Sequence, residues 1–181
     1  MKITLIRHGK PDTKYSGLFT WREFQAWLRH YETAKLKEKP SPVSASGAKV
    51  LTSTLPRAIE TARALYPRAD IETFAIFDSV PVPVFPIPLV KWPLQRWIHL
   101  NRCLYQLSFP ASEEWLWDTR KRARKAAKFL EDWAKEFGEV ILVGHGCMNA
   151  LIAKNLLRAG WTGSRPKKVD YLGALTLEFT T

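Results

Sequence analysis

The chain has 181 residues, 46% of them hydrophobic, and 28 Lys and Arg against 17 Asp and Glu give it a net charge of +11. That length and apolar content suit a single domain with a real core and exclude a disordered chain, and no apolar run approaches the roughly 18 residues needed to span a bilayer. The positive balance attracts anions over long range; it fits a small phosphorylated substrate and also admits nucleic acid or an acidic membrane. The two cysteines, Cys103 and Cys147, form no disulfide framework, and the four His do not form a metal pair on a helix, so no metal site is expected. The few residues before Arg7 are too short for a signal peptide, and the expectation is a cytoplasmic protein with reduced thiols.

Lys2 to Ile6 reads as a short strand that runs into Arg7-His8-Gly9. Arg7 is permanently cationic and forks onto phosphate. His8 is a nucleophile or base near neutral pH. Gly9 lets the backbone turn sharply and approach a ligand closely. A reactive His at the carboxyl end of a first strand sits where open α/β sheets place ligands. Lys10 to Leu18 reads as a loop over the pocket, with Lys10 either a substrate contact or simply solvated. Thr20 to about Lys37 reads as a helix: Thr20 and Glu23 form a capping-box pattern, and Trp21, Phe24, Trp27, Leu28 and Tyr31 recur at helical spacing. His30 falls on or near that apolar face as a structural residue. Lys39 to Gly47 is a Pro- and Ser-rich connector, and Ala48 to Thr52 is the second strand.

Ser53 then leads into Arg57-Ala58-Ile59-Glu60-Thr61-Ala62, a helix from Arg57 to Tyr66 with Pro56 beside its start. Ile71 to Phe77 reads as a third strand with Asp78 at its end, where a turn cap is the plain reading. Val80 to Leu94 carries Pro81, Pro83, Pro86, Pro88 and Pro93, which forbid a regular sheet interior and favour a stiff, extended path. A helix from Pro93 to Leu107 follows, and the stretch from about 80 to 111 reads as a cap beside the pocket that sets substrate choice. Ser112 to Phe137 is the longest helix, capped by Ser112 with Glu113 and Glu114 at its positive end. Its buried stripe is Leu116, Ala123, Ala127, Leu130, Ala134 and Phe137. The basic cluster of Arg120, Lys121, Arg122, Arg124, Lys125 and Lys128 falls largely on the opposite face, where such runs are solvated, and nucleic-acid binding is not expected. Gly138 ends the helix. Glu139 to Val143 is a second apolar strand that delivers Gly144-His145-Gly146 to the same kind of place as His8, and a helix from Cys147 to Leu157 follows. Leu172 to Thr180 is the last strand.

Three motifs in this order, Arg7-His8-Gly9, Ser53 with Arg57 to Ala62, and Val143-Gly144-His145-Gly146, resemble the histidine phosphatase superfamily, the phosphoglycerate-mutase-like proteins, over nearly the whole chain. The resemblance implies an α/β three-layer sandwich with a mostly parallel central sheet and helices on both faces. It implies His8 as the phosphoryl-accepting nucleophile, with Arg7, Arg57 and His145 around the phosphate and Gly9, Lys10, Ser53 and Gly146 as substrate-binding candidates. It also places an acidic residue near Asp78 as general acid, although the usual Glu-centred pattern is absent and a one-residue shift would put Ser79 there. The chain departs from the family after Gly47, where a helix usually precedes the strand; the Thr20 helix is expected to take over that covering role. The implied activity is metal-independent, cofactor-free hydrolysis of a phosphate monoester. The alternatives are mutase-type phosphoryl transfer, dephosphorylation of phosphohistidine on proteins, and a non-catalytic module for phosphorylated ligands.

Overall fold

The computed structural model describes residues 1–14, 16–45, 47–106, 116–164 and 169–180. Four strands run parallel at its centre: β1 (Lys2–Arg7), β3 (Lys49–Thr52), β4 (Ile71–Thr73) and β6 (Glu139–Gly144). The sheet order is β4-β3-β6-β1-β8-β7, closed at one edge by the antiparallel strands β8 (Ala174–Glu178) and β7 (Thr162–Gly163). Side chains alternate across the pleat. Ile3, Leu5, Val140 and Leu142 therefore face one side, where α4 (Leu116–Phe137) and α5 (Gly146–Arg158) cover them with Ala123, Ala127, Leu130, Met148 and Ile152. Ile6, Val50, Ile141 and Val143 face the other side and pack on Ala62 and Leu65 of α2 (Pro56–Leu65). Burial on both faces explains why Val140 to Val143 reads as an unbroken apolar run rather than an alternating one. The result is the expected mostly parallel α/β sandwich with helices on both faces.

Several boundaries differ from the sequence reading, each for a local reason. Helix α1 (Trp21–Thr33) starts at the expected capping box, with the Thr20 amide donating to Glu23 Oε2 and the Glu23 amide to Thr20 Oγ1. It stops four residues before Lys37 because 34–37 turns extended and pairs with the loop after β1: the Asp12 amide donates to the Lys35 carbonyl and the Lys37 amide to that of Lys10. The third strand is only Ile71–Thr73 long. Phe74 then packs edge-on against Phe77 and Phe129, and Ala75–Phe77 winds into a 3-10 turn that carries Phe77 inward. The last strand begins at Ala174, since Leu172 lies at φ +62. His30 is exposed, and Phe137 is exposed with its ring against Trp133 at 5.2 Å rather than in the buried stripe. The proposed Ser112 cap, Glu113, Glu114 and the cap's end at 107–111 lie outside the described residues.

The stretch read from sequence as a cap shares a small core with α1. Strands β2 (Leu18–Phe19) and β5 (Trp92–Pro93) form a two-stranded ribbon, and α3 (Leu94–Gln106) packs on α1. Phe24, Trp27, Leu94 and Trp97 are buried between them, with the Phe24 and Trp97 rings stacked at 5.7 Å. Trp97 Nε1 donates to the Phe19 carbonyl at 2.6 Å, and buried Asn101 accepts the Phe85 amide at 2.9 Å, which pins the proline-rich path to α3. Residues from both sides of the Ser53–Arg57 motif thus share this small cluster.

Candidate active site

Strand register brings the motifs together. Arg7 of β1 pairs with Gly144 of β6, so His8 and His145 leave the sheet side by side at its carboxyl edge. Thr52 of β3 pairs with Val143, which brings Ser53 to the same edge. The His8 and His145 rings are 5.0 Å apart. Ser53 Oγ lies 2.7 Å from His145 Nε2. Arg57, in the first turn of α2, reaches both imidazoles, with Nε 3.3 Å from His8 Nε2 and Nη2 3.5 Å from His145 Nδ1.

These contacts set the tautomers. His8 Nδ1 lies 2.7 Å from the Gly9 carbonyl, which only accepts, so Nδ1 carries the proton and Nε2 keeps its lone pair toward Arg57. By the same logic, Arg57 donates to His145 Nδ1, and the His145 Nε2 proton points at Ser53. Burial pushes the His8 pKa down to about 3, and the cationic Arg57 and Arg7 add to that against the pull of the Gly9 carbonyl. Burial also holds His145 well below the ordinary imidazole value, helped by the cationic Arg57, Arg122 and Arg7. Both rings are therefore neutral near pH 7.

Arg7 extends past Gly146, where an added Cβ would lie in ordinary contact with its Cδ at 3.4 Å. Gly9 is more confined, since an added Cβ there would come within 3.1 Å of Leu36 Cδ2. Its amide donates to Thr61 Oγ1 at 2.9 Å, and the Thr61 hydroxyl donates to the Arg57 carbonyl at 2.6 Å. Thr61 thus ties the loop after β1 to α2. Glu60, from the same motif, accepts the Leu36 amide at 2.9 Å and anchors the segment that follows α1. Lys10 is exposed, and its carbonyl receives the Lys37 amide.

Asp78 stands at the rim. Its carboxylate accepts from the Thr54 amide at 2.8 Å and from the Thr54 hydroxyl at 2.7 and 2.9 Å, which links it to the site through the Ser53–Thr54 peptide. Arg122 leaves the exposed basic face of α4 and donates to the carbonyls of Ile76, Asp78 and Ser79, strapping this loop to the helix. The sequence reading counted Arg122 with a cluster largely on the solvated face; its position one residue before buried Ala123 was the available signal.

Two tyrosines were not read as site residues. Tyr31, at the end of α1, lies with its ring 4.6 Å from Arg57 Cζ. Tyr171, in the turn before β8, lies 4.0 Å from Arg7 Cζ and 5.7 Å from the His8 ring. Burial raises the Tyr31 pKa to about 12. Tyr31 was legible only as one more apolar position on α1, and nothing local marked Tyr171. Asn149 was missed as well: it donates to the Ile6 carbonyl at 3.0 Å beneath His8, and its Oδ1 fills the space that an added Cβ on Gly144 would take. Among the described residues, no group of three or more His, Cys, Asp and Glu is placed to hold a metal ion, and no helix is long and apolar enough to cross a membrane.

By sequence, no family model and no curated protein matches the chain. By structure it is similar to several solved phosphatases. Phosphoserine phosphatase from Entamoeba histolytica, solved with phosphoserine, is 14% identical with a TM-score of 0.57, over 97% of this chain and 89% of that one. Mycobacterial glucosyl-3-phosphoglycerate phosphatase is 16% identical with a TM-score of 0.58, over 98% and 90%. A putative alpha-ribazole-5'-phosphate phosphatase from Escherichia coli is 20% identical with a TM-score of 0.52, over 85% and 78%. The chain therefore has the phosphoglycerate-mutase-like fold of these phosphatases, and the two-histidine, two-arginine cluster lies at the carboxyl edge of its parallel sheet.

Proposed function

We propose that the chain is a cytoplasmic phosphohydrolase that cleaves a small phosphate monoester through a phosphohistidine on His8. One observation carries the reading: a buried, neutral His8 whose Nε2 lone pair faces Arg57 while Nδ1 is fixed by the Gly9 carbonyl. A structural histidine needs no buried cation at its free nitrogen. A nucleophile that must meet a phosphate with close to two negative charges does. The solved neighbours whose names state a substrate act on phosphate esters, which supports the same class. Both cysteines are free and exposed, as suits a reducing compartment.

In the proposed reaction, Arg7 and Arg57 bind the non-bridging oxygens and neutralise charge that is spread over them in the transition state. His8 Nε2 attacks phosphorus in line, the P–O bond to the alcohol breaks, and Asp78 gives the leaving oxygen its proton. Asp78 first has to exchange its Thr54 hydrogen bonds for the leaving group. Water then attacks the phosphohistidine, Asp78 takes its proton, and the N–P bond breaks to release phosphate. The amides that open α5 contact the transferring oxygens, and neutral His145 joins them by turning its one N–H, at Nε2, from Ser53 toward the phosphate. Ser53 holds His145, and Gly9, Gly146 and Lys10 shape the entrance. Two guanidinium groups supply the charge neutralisation, so no step calls for a metal or organic cofactor.

The test is hydrolysis of an aryl phosphate by the native chain and by His8→Ala, with and without chelator. Chelator-resistant turnover that disappears in His8→Ala is expected. Equal turnover by both forms overturns the reading, and net transfer of phosphate to a second alcohol without release would favour a mutase.

A further inference from the structure

A carboxyl group that swings from a resting partner to a substrate needs a fixed main chain as its pivot. At Asp78 the side chain and the main chain are held by different elements. The carboxylate accepts from the Thr54 amide and hydroxyl. The main chain is held by Arg122 of α4. Its Nη1 donates to the Ile76 carbonyl at 3.2 Å and to the Asp78 carbonyl at 2.8 Å, and its Nη2 donates to the Ser79 carbonyl at 3.3 Å. One guanidinium thus gathers three carbonyls of a four-residue loop. That loop has little regular structure of its own. The 3-10 turn Ala75–Phe77 ends at Asp78, which is extended at φ -61 and ψ 159, and the proline-rich path follows from Val80. The helix at the other end of these bonds is firmly set. Ala123, next to Arg122, and Ala126, one turn on, are fully buried, and the Phe129 ring packs edge-on against Phe77 at 5.7 Å.

We propose that Arg122 is the positioning residue of the general acid: it fixes the Asp78 main chain while the carboxylate leaves Thr54 for the leaving oxygen. The proposal rests on the reading above, in which Asp78 gives the leaving group its proton. Once the Thr54 bonds are exchanged, the carboxylate is tied to the protein only through its own two side-chain torsions. Any drift of the main chain then carries straight to the acid, and a misplacement of about 1 Å can cost on the order of 100-fold in rate. Arg122 touches neither the ester nor the reacting atoms, so it acts through Asp78. The residue type suits the task. A guanidinium presents a rigid planar fork of donors, and its charge strengthens each bond to a carbonyl. A lysine would bring the charge without the fork.

The experiment compares phenyl phosphate, whose leaving phenol needs a proton, with dinitrophenyl phosphate, whose leaving group does not. The forms are the full native chain, Arg122→Gln, Arg122→Lys, Asp78→Asn and the Arg122→Gln/Asp78→Asn double variant. Arg122→Gln should lower kcat on phenyl phosphate by roughly tenfold, a part of what the acid itself contributes. KM should stay in place, and the dinitrophenyl ester should lose far less. Arg122→Lys should fall between the native chain and Arg122→Gln. In the Asp78→Asn background, replacing Arg122 should cost nothing further on phenyl phosphate. Equal losses on the two esters, or the same loss with and without Asp78, overturn the role and leave Arg122 a structural strap. Should Arg122→Gln not fold, Arg122→Lys makes the comparison alone: a loss confined to phenyl phosphate supports the role, and an equal loss or none overturns it. The two claims separate cleanly. Turnover that depends on His8 and Asp78 but not on Arg122 removes only the positioning role. Absence of turnover in the native chain, or phenyl phosphate turnover indifferent to Asp78→Asn, removes the reading it rests on and the role with it.

Discussion

The carboxyl edge of the sheet and the cap solve different problems. At the sheet edge, backbone hydrogen bonds fix the chemistry: three adjacent parallel strands in strict register deliver His8, His145 and Ser53 within a few ångströms of one another. In the cap, side-chain packing does the work, through stacked aromatic rings and single bonds such as Trp97 to the Phe19 carbonyl. A ladder that uses every backbone group tolerates change beneath it only where volume is kept. A small aromatic core can be altered without moving the strand ends. The reactive cluster should thus be rigid across substrates, and the cap should be the adjustable part.

The largest effect should come from breaking the point where the two regions meet. Arg57 serves both, since it bonds His8 and His145 on one side and the end of α1 on the other. Arg57→Ala should lower kcat/KM by roughly a thousandfold, as loss of a transition-state charge clamp does. It should also lower stability, because it empties a buried site and strips the α1 carbonyls; thermal unfolding checks the second part. Asp78→Asn should act on the chemistry alone. Loss of a general acid costs about 100-fold or more with an alkyl phosphate. It should cost far less with a nitrophenyl phosphate, whose leaving group needs no proton, and a rate comparison over the two esters reads the difference.

Changes within the cap should divide the other way. Trp97→Ala removes a fully buried ring from the small core and should cost about 3–5 kcal/mol of local stability. It should shift KM among phosphate esters by more than it lowers kcat for a small aryl phosphate. Equal loss of kcat for every ester would show that the cap and the sheet edge are a single unit. The most gradual effect is on stability against pH. The folded state resists protonating His8 until about pH 3, whereas the unfolded chain takes that proton near 6.5. Stability should be full above 6.5 and fall as pH drops toward 3, and denaturant unfolding of His8→Asn should show a shallower decline over that window.

The division also explains what could be read from the amino acids. Strands β1 and β6 announce themselves as apolar runs ending in Arg7-His8-Gly9 and Gly144-His145-Gly146, and the register that joins them follows from the parallel sheet. Arg57 was recognisable from its motif. Contacts made across the fold by residues with ordinary local surroundings left little trace: nothing local marks Tyr171, and Arg122 is one cation in a basic helix, set apart only by its place beside buried Ala123. Phe74 sits in a β-favouring run, and only the packing of its ring on Phe77 and Phe129 ends the strand at Thr73. The resemblance suggested Asp78 as the acid from its place in the sequence; the partner its carboxylate has, Thr54, could be known only from the folded chain.

The central claim is that His8 Nε2 accepts the phosphoryl group. The most direct test is to mix the chain with a phosphate monoester labelled in its phosphoryl group, quench within milliseconds, and map the bound label. The account predicts an acid-labile, alkali-stable label on the peptide that carries His8, absent from His8→Ala and longer-lived in Asp78→Asn. Steady hydrolysis with no label on that peptide, or a label that survives in His8→Ala, would contradict it.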